Sequence, residues 1–278
     1  MLVGTDTLAS HLNDPECVIF DCRHDLMDFD QGRRLYRAGH IPGAHFAAVE
    51  TDLSGRKTGR NGRHPLPEPD AFADFLARHG VSETSLVVAY DDVGGQYSAR
   101  LWWLARWIGV PRAAMLDGGF PKWVAERRPV TAELPVARGT KLQPRLRPEM
   151  VWTTVDVQWR MEDPASALVD ARAAERYRGE AEPIDPIAGR IPGALNRFYK
   201  ANLNPDLTLR PPAELKREFE ALLGGRRPEN VGHQCGSGIA ACANLFAMEC
   251  AGLGGSKLYA GSWSEWISDP ARPIAKGA

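Results

Sequence analysis

The chain has 278 residues, 44% hydrophobic and 25% charged, an ordinary globular composition that excludes intrinsic disorder; half its length is close to the commonest domain size. Lys and Arg number 34 against 35 Asp and Glu, a formal charge of −1, which gives no support to non-specific nucleic-acid binding but leaves room for a local anion pocket. No apolar run reaches the 18 residues a membrane span needs.

The first segment, Met1-Leu2-Val3-Gly4-Thr5-Asp6, has no basic stretch followed by an apolar one, so it does not read as a secretory signal, and a cytoplasmic protein is expected. Val18 to Phe20, Val87 to Tyr90 and Ala113 to Leu116 read as buried strands. Between them, Ser54 to Arg63 is polar and reads as an exposed loop without a core face. Phe72, Phe75, Leu76 and His79 then recur at helical spacing before Gly80, a C-terminal cap. Pro129 to Pro148, with Pro135 and Pro144, has no period and reads as an extended connector. Beyond it, Ala167 to Val169 and Lys257 to Tyr259 read as strands, and Pro211-Pro212 opens a helix carrying Leu215, Phe219, Leu222 and Leu223. Strands alternating with helices imply parallel sheets with helices on both faces, an α/β fold.

The two halves repeat one another. Gly39-His40-Ile41-Pro42-Gly43-Ala44 returns 150 residues later as Gly189-Arg190-Ile191-Pro192-Gly193-Ala194. Val18 to Arg23 matches Ala167 to Arg172, and Asp117-Gly118-Gly119-Phe120 with Trp123 matches Ala260-Gly261-Ser262-Trp263 with Trp266. Three matches in the same order indicate a duplication, with domains at 1–129 and 150–278 and a linker at 130–149.

Five cysteines, Cys17, Cys22, Cys235, Cys242 and Cys250, form no C-x-x-C pair, so neither a zinc ribbon nor a dithiol motif is indicated and reduced thiols are expected. Cys235 stands apart. Asn230 to Gln234 reads as a strand, Cys235-Gly236-Ser237-Gly238-Ile239-Ala240-Ala241 as a tight loop, and Leu245, Met248 and Ala251 as a helix face. Ligands of open α/β sheets gather at the carboxyl ends of strands, where this loop falls. Its glycines allow successive N–H groups to point inward, and the helix N-terminus adds partial positive charge; both favour a thiolate over a thiol. The matching position of the first half is Asp91, which cannot act as a thiol nucleophile. A cysteine phosphatase needs C-x5-R, and the sixth residue after Cys235 is Ala241. Gly236, Gly238 and Ala241 also fit G-x-G-x-x-A, but no acid follows at the ribose-binding distance, where Tyr259 and Gly261 stand. Transfer of sulfur through a persulfide is the third reading.

On the two hexapeptides, the Cys235 loop and Tyr259 to Trp266, the chain resembles the two-domain rhodanese family, the thiosulfate and 3-mercaptopyruvate sulfurtransferases, over nearly its whole length. The resemblance implies tandem rhodanese domains, the first inactive and the second carrying the catalytic cysteine. It implies a small-molecule sulfur donor, a thiol or cyanide acceptor such as a thioredoxin-like protein, and neither metal nor organic cofactor. By the family's pattern Cys235 attacks, and Ser237 and His64 move a proton, supported by Glu50 or Asp52. Arg176 binds the donor's carboxylate, while N–H groups of Gly236, Ser237, Gly238, Ile239 and Ala240 hold the sulfur. The C-G-S-G loop is similar to mercaptopyruvate enzymes, and a loop without cations has less to offer the thiosulfate dianion. Three departures stand out: Ala240 for the usual threonine, Arg190 for the histidine of the second hexapeptide, and no second carboxylate-binding arginine, its place falling near Ile184. They leave a non-catalytic sulfur carrier or interaction module as the alternative reading.

Without the resemblance, the remaining candidates read as structure. Cys17, Cys22, Cys242 and Cys250 read as buried small hydrophobes, and Trp102, Trp103, Trp107 and Trp123 as core or domain-interface aromatics rather than a ligand cage. Asp21 and Asp170 read as hydrogen-bonding residues at strand ends, and Arg176 as a partner for Asp170 or Glu180.

Overall fold

A computed structural model describes every residue except Ala137, inside the expected 130–149 connector, and the terminal Ala278. In the first half β1 (Leu2–Val3), α1 (Thr5–Ser10), β2 (Cys17–Asp21), α2 (Gln31–Ala38), β3 (His45–Phe46), α3 (Pro69–Arg78), β4 (Leu86–Tyr90), α4 (Ser98–Trp107), β5 (Arg112–Leu116) and α5 (Gly119–Ala125) follow in order. The second half continues with α6 (Thr154–Arg160), β6 (Ala167–Asp170), α7 (Ala174–Arg178), β7 (Leu195–Asn196), α8 (Pro212–Leu223), β8 (Val231–Gln234), α9 (Ala241–Cys250), β9 (Lys257–Leu258) and α10 (Ser262–Trp266). Both sheets are wholly parallel, ordered β1-β5-β4-β2-β3 and β7-β6-β8-β9, with helices flanking them. Val151 makes a single parallel bridge to Leu258 at the place where β1 pairs with β5 in the first half.

The elements follow from local chemistry. Pro212 at the first helical position starts α8, and Gly224 in the left-handed region ends it. Thr153 and Asp156 form a reciprocal capping box on α6. β2, β4 and β5 are largely apolar runs because both sheet faces are covered; Ile19, Val88, Tyr90 and Ala114 are buried in one core, and Leu168, Tyr259, Trp263 and Trp266 in the other. Trp102, Trp103, Trp107 and Trp123 are buried as expected, and so are Cys22 and Cys242, whereas Cys17 and Cys250 are only half-buried.

The repeated hexapeptide is a structural lock. Asp21 binds Arg23, whose guanidinium also donates to the Gly39 carbonyl; Asp170, Arg172 and Gly189 repeat the arrangement. The Tyr36 and Tyr177 hydroxyls donate to the Ala44 and Ala194 carbonyls. His40 stacks on Tyr36 with ring centroids 4.0 Å apart, and Arg190 lies 4.5 Å over the Tyr177 ring. A cation over an aromatic face therefore does the work of the stacked imidazole, and the Arg190 departure costs the fold nothing visible.

The contacts divide the chain into two compact units that no single cut separates. The first comprises Met1–Gly55, Leu66–Arg147 and Leu203–Leu209; the second comprises Arg56–Pro65, Pro148–Asn202 and Arg210–Ala278. Most of the connector straps onto the first unit, through Thr131 to His40, Thr140 to Ala77, Arg145 to Ile108 and Arg147 to Trp107. The Ser54 to Arg63 loop is exposed over 56–60, as its composition implies, but Ser54 is buried, residues 61–63 are half-buried, and His64, the next residue, is only 2% exposed and packs within the second unit.

Candidate active site in the second unit

Cys235 directly follows β8, a central strand between β6 and β9. The chain reverses at once into α9, and Gly238 makes this possible: its φ is +80°, and an added Cβ would lie 2.4 Å from the Ala260 carbonyl oxygen. No other residue fits there without strain. In this turn the N–H groups of Ser237 and Gly238 point at the Cys235 sulfur, at 3.5 and 3.2 Å. Such converging N–H groups stabilise negative charge on sulfur. Of the wider set expected (236 to 240), these two are directed at Sγ. Ile239 is buried in the loop, and Ala240 caps α9.

The backbone of Cys235 is fixed from the other side. Its N–H donates to the Ser262 hydroxyl, and its carbonyl accepts from Trp263 N–H. Ser262 holds φ = +54°, rare for a residue with a side chain, and its hydroxyl also donates to the Tyr259 carbonyl. Ser262 was legible only as part of a motif; its positive φ needs the structure.

His64 and Ser237 are brought together, with Nδ1 and Oγ 2.7 Å apart, and Ser237 is buried. The pair is a hydrogen-bonded imidazole and hydroxyl in the turn that carries Cys235. Asp52, one of the two candidate supports for His64, accepts from the Ala48 N–H and the Thr51 hydroxyl; burial raises its pKa against those hydrogen bonds.

Arg176 pairs with neither Asp170 nor Glu180. It donates to Glu182 at 2.6 Å and to Asp185 at 3.2 Å, whereas Asp170 holds Arg172 and Glu180 holds Arg178. Arg63, absent from the sequence-derived set, grips Asp185 with two donors, Nε at 2.8 Å and the terminal nitrogen at 3.2 Å. Arg172 is the third guanidinium: burial opposes its charge, but Asp170, then Glu182, then Cys235 outweigh that, so its pKa is raised. Burial likewise works against the charge on Glu182, yet Arg176 and the N–H groups of Asp185 and Ile184 hold its pKa below the usual value. Three arginines thus alternate with three carboxylates. The expectation of a loop without cations is corrected: Gly236 and Ser237 carry none, but two guanidinium groups reach the loop from elsewhere. Arg176 was expected at the donor site from the sequence; for Arg63 the only hint was its place beside His64. Among the described residues no group of three or more His, Cys, Asp or Glu side chains is arranged to hold a metal ion, and no helix is long and apolar enough to cross a membrane.

This geometry sits in a chain whose residues 5–126 and 153–269 each match the family model of the rhodanese-like domain. Over 278 residues the chain is 44% identical to a probable 3-mercaptopyruvate sulfurtransferase of Pseudomonas aeruginosa, covering 99% of this chain and 98% of that one. It is 37% identical to a putative thiosulfate sulfurtransferase, SseB, of Mycobacterium tuberculosis, over 93% and 90% of the two chains. Among solved structures, SseA from Escherichia coli, described under the fold and mechanism of 3-mercaptopyruvate sulfotransferases, superposes with a TM-score of 0.80 at 31% identity, covering 94% of this chain and 98% of that one. A 3-mercaptopyruvate sulfurtransferase from Leishmania major gives 0.83 at 28% identity, over 96% and 74%. Duplicated sheets, each with the Asp-x-Arg and hexapeptide lock, and a cysteine loop built in only one of them are thus accounted for together: the chain belongs to the rhodanese family, and it is a sulfurtransferase.

Proposed function

We propose that Cys235 is the nucleophile and that the sulfur donor is 3-mercaptopyruvate. The Cys235 thiolate attacks the donor's sulfur; the S–S bond forms as the C–S bond breaks, and the electron pair leaves on the enolate of pyruvate. Ser237, hydrogen-bonded to His64, delivers the proton that turns the enolate into pyruvate, and Cys235 is left carrying the persulfide. A thiolate, of a small thiol or a thioredoxin-like protein, or cyanide then attacks the outer sulfur and returns the Cys235 thiolate. Arg176 positions the donor's carboxylate through its planar fork.

The observation that carries this reading is the 2.7 Å contact between Ser237 and His64 beside a sulfur held by two N–H groups. The donor choice is supported by the balance of three arginines against three carboxylates, which offers directional donors without the net positive charge a small dianion needs. The name of the 44% identical relative agrees. Five free cysteines support a reducing compartment, the cytoplasm. Cys235→Ser is expected to abolish persulfide formation, lowering turnover by on the order of 10³-fold or more. A mass gain of one sulfur atom in that variant overturns the assignment of the nucleophile, and a wild-type kcat/KM higher for thiosulfate than for 3-mercaptopyruvate overturns the donor.

A further inference from the structure

Gly236, the residue after Cys235, has no left-handed φ to explain it. A Cβ there would lie 2.7 Å from a terminal nitrogen of Arg63, 3.3 Å from one of Arg176 and 3.5 Å from an Asp185 oxygen. Two guanidinium groups therefore converge over the peptide next to the reactive sulfur, and one buried carboxylate ties them together.

Each member of this pair is fixed. The Asp185 side chain is 1% exposed and receives both arginines, and Glu182, 3% exposed, receives Arg176 as well. The Arg63 backbone N–H donates to the Ser264 hydroxyl, and the Ser264 N–H donates to the Gly236 carbonyl, so Arg63 is anchored to the same turn that carries Cys235. The two side chains keep 29% and 19% of their surface exposed, so they are held yet reachable. A fixed guanidinium whose carboxylate partner uses Nε and one terminal nitrogen still has N–H donors to give a second planar acceptor.

We infer that Arg63 is a second donor-positioning residue, acting with Arg176 as a two-arginine clamp on the carboxylate end of the sulfur donor. The inference rests on the donor reading given above. Asp185 sets the separation and tilt of the two groups, and Gly236 keeps the space between them and the sulfur clear. Because Arg63 and His64 are consecutive, one short segment supplies both the grip on the donor and the imidazole bound to Ser237.

The test compares wild type, R63Q and the paired variant R63Q/D185N, which removes both charges and keeps a hydrogen-bonding pair. Two donors are used: 3-mercaptopyruvate, and mercaptoacetone, which keeps the ketone and thiol but lacks the carboxylate. Persulfide formation on Cys235 is followed by intact mass in single turnover, and steady-state KM and kcat are measured for 3-mercaptopyruvate. R63Q is expected to raise KM for 3-mercaptopyruvate about 10-fold or more with kcat within about 3-fold, and R63Q/D185N to do the same, while the rate with mercaptoacetone stays at the wild-type value. An unchanged KM in R63Q, or equal losses on both donors in R63Q and in the paired variant, overturns the inference while the donor reading stands. A wild-type chain that takes no sulfur from 3-mercaptopyruvate overturns the donor reading and the clamp with it.

Discussion

Asp91 and Cys235 occupy the same position, one residue past a central strand of each sheet, and meet the same kind of turn. Asp91 fills its turn with itself: one carboxylate oxygen accepts from the N–H groups of Val93 and Gly95, the other from the N–H groups of Tyr97 and Ser98 and from the Ser98 hydroxyl. Cys235 offers a single sulfur to two N–H groups. A turn that gathers N–H donors needs an anion; a carboxylate meets that need permanently, whereas a thiolate meets it and can still attack. The turn is thus a structural device in one half and, as proposed, a chemical one in the other.

The segments laid over the two turns differ in the same sense. Within the first unit, Leu203 packs against Gly94 of the Asp91 turn, and the Leu209 N–H donates to Asp117. Within the second, Gly62 to His64 pack against Gly261, Ser264 and Ser237 and bring Arg63 and His64 to the Cys235 turn. One cover brings leucine side chains to the turn; the other brings a cation and an imidazole.

The largest effect is expected in the first unit, at Asp91. Asp91→Ala leaves four N–H groups without their acceptor and should destabilise the first unit by about 3 kcal/mol, read by denaturant unfolding. In a C235S background, Asp91→Cys should form no persulfide detectable by intact mass, because Leu203 and Leu207 stand near that turn in place of Arg63 and His64. A persulfide at position 91 would mean that the turn alone is sufficient. Next in size, Ser237→Ala should lower kcat about 10²-fold with 3-mercaptopyruvate and remove a limb of the pH–rate profile, since it cuts the path from His64. A profile of unchanged shape would count against proton transfer through Ser237.

The smallest effect concerns acid stability, where the halves resemble each other. Burial, with His79 and His40 nearby, lowers the pKa of His45 to about 4, and complete burial lowers that of His233 to about 3. Unfolded, both take up a proton near pH ~6.5. Between those values the unfolded chain binds more protons, so the stability present above pH ~6.5 is lost as the pH falls toward 4, about 2 kcal/mol by pH 5 for the fully buried His233 and less for the partly exposed His45. Thermal unfolding at pH 7 and pH 5 should show the loss, and His233→Leu should reduce it. An equal loss in that variant assigns the acid sensitivity to other groups.

The α/β class, the duplication, the strands at Val18, Val87, Ala113 and Ala167, and Cys235 as the one cysteine in a glycine turn were legible in the sequence, because each rests on local periodicity, composition or spacing. Gly236 was legible as a glycine, but its neighbours were not: two arginines, 113 residues apart in the chain, converge on it. Arg63 was hidden in a loop whose composition reads as solvent-exposed, and a composition cannot say which end of a loop is buried. Arg176 was singled out, but its partners were misjudged, since Glu182 and Asp185 reach it through a turn rather than along a helix face. Local sequence patterns were enough to give the repeated frame and the one cysteine set in a glycine turn. Only the tertiary structure decided what surrounds that sulfur, because ion pairs and hydrogen bonds such as Arg63 to Asp185 and His64 to Ser237 join residues more than a hundred positions apart, and no local pattern encodes them.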